Sequence, residues 1–443
     1  MYFCAMRTSK HPTPLNFDML MQDLSEQFAD IADNRARNSQ YSLGDTLKSA
    51  FAMFSLKSPS LLNFQERTRM EDGNLQRVYG IKTIPSDTQM RTILDEVPAD
   101  SLRYSFAEVF THLESAKVLD SYRYQAADNA WIASVDGVQH FSSTKVHCPC
   151  CTVKKHQDGS TSYHHSALAA VIVHPDKAQV FPLAIEPILT QDGAVKNDGE
   201  RNAAKRLVET LRLHYADRTL LFVEDALYAN APHIRQIQAA SPHWHYLPAI
   251  KPKSRAGLFE RFTALKTRPG RTESHTHTDT DGTVYRFEYA NDLAFCESSS
   301  DVRVNVLFCT MTTKKGKTTQ FSWVTDISLH RKNVFALMRA GRARWKIENE
   351  TFNTLKNQGY HFEHNYGHGK KHLASTLAAM MLLAFLVDQV QAAADALFAR
   401  VSEALSSKMK FWEALRAVFK LKRLSSMTAA ITTIGVMYAV LKE

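Results

Sequence analysis

Acidic residues that could do chemistry fall at three places in this chain of 443 residues. Asp136 closes the mostly apolar run Trp131-Ile-Ala-Ser-Val-Asp136-Gly137. Glu224 and Asp225 close a second, Leu220-Leu-Phe-Val-Glu224-Asp225. Glu348 and Glu350 lie among basic residues in Arg344-Trp345-Lys-Ile-Glu348-Asn-Glu350-Thr-Phe-Asn-Thr-Leu-Lys356. A carboxylate on a buried strand is costly unless a cation sits beside it, and two adjacent acids repel each other. A bound Mg²⁺ would supply the missing charge. Each place also has an ordinary explanation. Asp-Gly commonly makes a hairpin turn, and Asp225 could cap a following helix. Arg344, Glu348 and Lys356 could form an exposed ion-pair ladder worth about 0.3–0.5 kcal/mol per pair.

A second cluster is His147-Cys148-Pro-Cys150-Cys151, followed by His156, His164 and His165. Cys148-x-x-Cys151 has zinc-knuckle spacing, and Cys148, Cys151, His156 and His165 would complete a tetrahedral Zn²⁺ site. The alternative is a loop of reduced thiols whose histidines have other roles. Six cysteines in a chain of this length do not make a disulfide framework and suit a reducing compartment. The net charge of +9 and pI near 9.1 favour a polyanionic partner, nucleic acid before acidic membrane. Within residues 251–271, Lys251, Lys253, Arg255, Arg261, Lys266, Arg268 and Arg271 face the single acid Glu260. That density suits phosphate-backbone contact, with a plain solvated face as the alternative.

The length exceeds what one core usually supports, so two or three domains are expected. Residues 15–125 read as helices, with Phe17, Met21, Leu24 and Phe28 at helical spacing and a strong helix start at Ile84-Pro85-Ser86-Asp87. Helices flanking that turn would form either a helix-turn-helix reader of DNA or a plain bundle. From Trp131 the pattern becomes strand-like. A hairpin is expected over Ala167–Val173 and Gln179–Leu183, then a helix to about Tyr215 with Asp198 and Glu200 as its N-terminal caps. Thr283–Tyr289, Val302–Thr310 and Thr318–Val324 alternate like strands. Arg344–Lys356 reads as one helix, and the loop 359–371 is rich in His, Tyr and Lys that could stack on a nucleic-acid end. The apolar run from Leu373 to Val387 is shorter than the ~20 residues of a membrane span, so a buried core helix is expected. The first residues lack a signal-peptide layout, which points to the cytosol and to no membrane partner.

Taken together, these stretches resemble bacterial insertion-sequence transposases of the DDE type. The resemblance rests on Val135-Asp136-Gly137, on Asp225-x-x-Tyr228 after an apolar strand, on the β-rich insert ending Trp323-Val-Thr-Asp326, and on Gly341-x-x-Arg344-Trp345-x-x-Glu348-x-x-x-Phe352-x-x-x-Lys356. Phe54-Ser-Leu-Lys57-Ser-Pro59-Ser-Leu61 and Ile84-Pro85-Ser86-Asp87 add to it. It implies an α/β fold: an RNase H-like mixed-sheet core with helices on both faces, an inserted β-rich subdomain, and helical N- and C-terminal regions.

The corresponding division is a helical region at 1–125, core at 126–250, basic insert at 251–332, core completed at 333–395, and a helical region at 396–443. The resemblance further implies that Asp136, Asp225 and Glu348 hold two Mg²⁺ (or Mn²⁺) ions for in-line attack on a phosphodiester. Arg344, Trp345 and Lys356 would contact the DNA end. The partners implied are double-stranded DNA, as terminal inverted repeats and target, and a second copy in a synaptic complex in the bacterial nucleoid. A nuclease that cannot rejoin strands and an inactive DNA-binding descendant are the rival readings. The motif departs from the family at two points. Gly341 stands where a Tyr is usual, and seven residues rather than six separate Glu348 from Lys356. Glu350, with five, is therefore a rival third ligand.

Overall fold

In the computed structural model, residues 15–442 are described apart from 37–38, 69–72 and 193–195. They belong to two compact units, one of Met1–Ser121 with Leu355–Glu443 and one of Tyr122–Thr354.

The second unit is organised by one strand. Residues 130–135 are buried without interruption, the pattern of a strand covered on both faces. Its sheet has seven strands among the described residues: β1 (Arg123–Tyr124), β2 (Ala130–Ser143), β3 (Thr152–Lys155), β4 (Thr161–Val173), β5 (Phe181–Ile188), β6 (Leu220–Val223) and β7 (Trp244–Tyr246). β2 runs antiparallel to β4, and β4 antiparallel to β5, as the expected hairpin requires. On its other side β2 pairs in parallel with β6, and β6 with β7. The order β5-β4-β2-β6-β7 is an RNase H-like mixed sheet.

The two parallel connections pass through the helices Lys196–Tyr215 and Ala231–Ala240. Successive residues of a strand point to opposite faces. Gly137 faces Glu200 of the first helix, whereas Ser134 hydrogen-bonds the Arg344 carbonyl, so chain covers both sides of β2. The helix Lys196–Tyr215 is anchored by Arg206, whose guanidinium reaches Glu186 at 2.6 Å and Asp192 at 2.5 Å.

After β7 comes the helix Ala256–Lys266, which the sequence reading did not anticipate. A four-stranded antiparallel sheet follows: β8 (Glu273–Thr278), β9 (Val284–Cys296), β10 (Ser299–Thr312) and β11 (Thr318–Thr325). β11 is tied to the chain leaving β7 by backbone bonds, Ile250 to Ser322 at 2.9 Å and Val324 to Pro248 at 3.2 Å. This sheet is the insert expected between the second and third acids, with β8 in addition.

The other unit is helical. Leu43–Ser55 packs on the long helix Leu373–Ala394, which is apolar on all sides because 89% of its most apolar window is buried. This helix has 22 residues, longer than the expected run, and by length and composition alone it could cross a membrane. Asp95 caps it from a distant part of the chain, accepting the backbone N–H groups of Lys370, Lys371, His372 and Leu373 at 2.8–3.1 Å. One carboxylate thus gathers the N–H groups of the turn leading into the helix and of its first residue, at the end where negative charge is favoured. The turn at Ile84–Asp87 separates Asn74–Tyr79 from Asp87–Asp95, and Ser86 is the N-cap as expected. The aromatic residues of the 359–371 loop are core rather than stacking surface. Tyr360, Phe362 and Tyr366 are each at most 5% exposed, and the Tyr366 hydroxyl donates to the Ser58 carbonyl.

Candidate active site

Parallel pairing between β2 and β6 ends at Ser134 and Val223. Asp136 and Asp225 each lie two residues further on. Side chains repeat every second residue along a strand, so Asp136 shares the face of Ser134 on β2, while Asp225 lies in the loop that follows β6. Ligand sites in such sheets open at the carboxyl ends of parallel strands.

Asp136 differs from its expected setting in one respect. Asp-Gly makes no turn and the strand does not end there, because β2 continues to Ser143 against β4, with Asp136 opposite Ala169 and Gly137 opposite Leu168. What ends is the partner on the other side. A Cβ at 137 would stand 3.1 Å from Glu200 Oε1, so a side chain there would press on the Glu200 carboxylate.

Asp225 is not a helix cap either. The next helix starts at Ala231 and is capped by Asn230, whose side chain accepts from the His233 N–H. Asp225 instead bends the loop by accepting from the Leu227 N–H at 2.7 Å. Its neighbour Glu224 is buried and bonded to His233 Nε2 at 2.8 Å.

Arg344–Lys356 is not one α-helix. Arg344 lies in a turn after the helix Val334–Arg342. Ile347–Phe352 is π-helical, and a short α-helix, Asn353–Asn357, follows. π-Helical turns are rare and concentrate at functional sites. Here the segment presents Glu348 toward β2. Arg344 Nη1 reaches Asp136 Oδ2 at 2.7 Å and Glu348 Oε1 at 2.8 Å. Glu350 is half-buried. Lys356 belongs to the helical unit, where it pairs with Glu363 at 2.7 Å.

The electrostatics fit a cation-binding site. Burial pushes the Asp136 carboxyl up to about 7. Arg344 pulls it down, and the hydrogen bond with Glu348 raises it further. Burial also raises Tyr228, helped by the negative charges of Glu200, Glu224, Asp136 and Asp225. Among the described residues the buried Tyr228 hydroxyl has no hydrogen-bond partner, and neither has Glu224 Oε2. An all-oxygen donor set with excess negative charge and orphaned buried polar atoms suits a hard divalent cation such as Mg²⁺ or Mn²⁺. Glu200, expected as a cap, lies inside a helix that begins at Lys196 and is buried against Gly137.

Beside the acids, a groove of about 760 Å³ runs between the insert and the segment after Arg342. It takes in Lys251, Arg344 and Trp345 of the expected DNA contacts, together with Lys266, Phe308 and Trp323. Trp345 is 43% exposed. Lys253 is exposed, whereas Arg255 is engaged within the fold, donating to the Ala229 carbonyl and lying 4.9 Å from the Phe295 ring centre. Gly341 packs directly on Trp323. A Cβ there would stand 2.5 Å from the indole nitrogen, so this helix has no room for a side chain at that point.

In the Cys/His cluster, Cys148 Sγ and Cys151 Sγ lie 3.6 Å apart, and each is 3.3 Å from His165 Nε2. Burial pushes the Cys151 thiol up to about 12. His156 is elsewhere, bonded to Ser162 Oγ at 2.7 Å.

The chain belongs to the transposase DDE domain family, which it matches over residues 144–386. That span includes Asp225 and Glu348 and begins shortly after Asp136. Among solved structures, the chain is similar to the piggyBac transposase synaptic complex with hairpin DNA. The identity is 14% and the TM-score 0.39, and the match covers 92% of this chain and 78% of that one. No curated protein matches it.

Proposed function

We propose that this protein is a DNA transposase that cleaves and rejoins strands at the ends of its own insertion sequence with Mg²⁺ or Mn²⁺. The observation that supports this most is the meeting of Asp136 and Glu348, from segments more than two hundred residues apart, at one guanidinium beside the strand end that leads to Asp225. Asp136, Asp225 and Glu348 are the residues that would hold the metal. Bound there, it would activate a water or 3′-hydroxyl and stabilise the leaving oxygen.

The chain's own residues do the rest. A cation beside Asp136 would favour the ionised carboxylate that burial disfavours. Arg344, at the mouth of the site, is placed to pair with a phosphate once the acids have another counter-charge. Lys251 and Trp345 line the groove along which a DNA end would run, and Lys253 adds positive charge for its backbone. The oxygen nucleophile forms a bond to phosphorus, the bond to the 3′-oxygen breaks, and the leaving oxygen takes a proton. Double-stranded DNA, as terminal inverted repeats and target, is the partner, and two copies would act in one synaptic complex.

The test uses purified protein, Mg²⁺ and a duplex carrying the inverted repeats that flank the gene. Cleavage at the repeat ends, and joining of a pre-cleaved end to plasmid, are expected. Cleavage without joining would mean a nuclease. Binding without either, in Mg²⁺ and in Mn²⁺, would mean an inactive DNA-binding protein.

A further inference from the structure

We infer that Cys148, Cys151 and His165 supply three of the four ligands of a structural Zn²⁺ that staples the loop after β2 onto β4. Tetrahedral zinc with Zn–S near 2.3 Å and Zn–N near 2.0–2.1 Å places its sulfurs about 3.8 Å apart and its sulfur and nitrogen ligands about 3.6 Å apart. The separations here, 3.6 Å and 3.3 Å, are close to that geometry, and 3.6 Å between sulfurs is far beyond a disulfide bond.

The local chain explains how the three atoms meet. A turn closed by Cys151 N–H to the Cys148 carbonyl brings both thiols to one side, and the Cys148 N–H points at Cys151 Sγ. On β4, successive side chains alternate. His164 turns to Ser162 on one face, and His165 turns to the thiols on the other. Cys151 and His165 are both buried, so the nitrogen and sulfur donors are screened from water.

The position has a consequence for the catalytic strand. The β2–β4 register slips between Gln139 and Phe141, leaving His140 as the extra residue of a bulge. The His140 ring stacks on His165, 5.9 Å between centres and 19° apart in plane. A metal on His165 therefore holds the bulge on the same strand as Asp136. It also fixes the loop between β2 and β3, which carries the exposed Lys145, toward the ribbon bearing exposed Lys154 and Lys155.

Elemental analysis of the full chain, purified under reducing conditions, tests this without any cleavage assay, so its outcome is separate from that of the proposed function. About one zinc per chain is expected, and Co²⁺ exchanged into the site should give the intense visible bands and sulfur charge-transfer absorption of tetrahedral thiolate ligation. Cys148→Ser with Cys151→Ser, and His165→Ala, should lose the metal, while Cys150→Ser and His156→Ala keep it. If the ligand variants do not fold, the cobalt spectrum of the unsubstituted chain still decides. Zinc below about 0.2 per chain with no thiolate–cobalt band would overturn the proposal, as would a Cys148–Cys151 disulfide in fresh protein. Loss of metal in His156→Ala would overturn the ligand set.

Discussion

Arg344 donates to Asp136 at 2.7 Å from a turn that precedes a π-helical segment, and the same nitrogen lies 2.8 Å from Glu348. This contact bears on which glutamate is the third acid. Arg344 and Glu348 meet beside β2, and the hydrogen bond between Glu348 and Asp136 adds to the rise in the Asp136 pKa.

Glu348→Gln should therefore reduce strand cleavage by more than about 10²–10³-fold, the scale of losing one preorganised electrostatic group. Glu350→Gln should change it by less than about 10-fold. Cleavage of a labelled repeat-end duplex under single-turnover conditions, with end binding followed in parallel, gives the comparison. The reverse ranking would make Glu350 the ligand.

Stability should depend on pH and on metal together. The Asp136 carboxyl goes from 3.8 in an unperturbed setting to about 7 in the fold, chiefly through burial. The folded state thus holds this proton more tightly than the unfolded state. Its contribution to stability is fully present below about 3.8, and it is lost as pH rises through about 7. A divalent cation competes for the same carboxylate, so Mg²⁺ or Mn²⁺ should raise Tm more at pH 8 than at pH 5.5. Asp136→Asn should flatten the pH dependence and remove most of the metal effect. Thermal unfolding across that grid checks it, and equal metal shifts at both pH values would count against a cation at Asp136.

Gly341 should tolerate no side chain. A Cβ there meets three atoms of the Trp323 indole at 2.5–3.0 Å, and Trp323 is itself 3% exposed. Gly341→Ala should lose about 1–3 kcal/mol, the usual cost of overpacking, despite the better helix propensity of alanine. Adding Trp323→Leu should recover part of the loss. Urea denaturation of the single and double variants measures it, and a neutral Gly341→Ala would contradict the packing.

Much of this was legible in the residues because burial leaves a simple pattern. The unbroken apolar runs ending near Asp136 and Asp225, the hairpin between β4 and β5, and the strands β9 to β11 follow from hydrophobic periodicity alone. What stayed hidden depended on partners distant in sequence. A hairpin turn is the alternative that Asp-Gly leaves open, but β4 pairs with β2 straight through Asp136 and Gly137 and keeps the chain extended. A helix cap is the alternative open to Asp225, but the helix waits for Asn230. Good helix formers from Arg344 to Lys356 conceal a change of helical pitch, which side-chain propensity does not encode. The helix Ala256–Lys266 buries only Leu258 and Phe262, too few apolar positions to stand out among its basic residues. His165 could be separated from its neighbour His164 only by the face of β4 on which each falls, and His156 lies past the end of β3.

The helical unit contains one interaction whose loss should cost more than any of these. Lys57 Nζ contacts Asp388 at 2.5 Å with its side chain fully buried. It also donates to the Ser55 carbonyl and lies 3.9 Å from the Trp412 ring centre. The Tyr360 hydroxyl donates to the same carboxylate. Burial draws Lys57 down and Asp388 up, each toward its neutral form, while the pairing opposes both shifts. Removing one partner of such a pair strands the other in an apolar interior, at a cost of about 3–5 kcal/mol. Lys57→Met and Asp388→Leu should each fall in that range. The double variant should lose clearly less than their sum, because neither charge is then left alone. Denaturant unfolding of the four proteins closes the cycle, and additive losses would show that the two residues stabilise the unit independently.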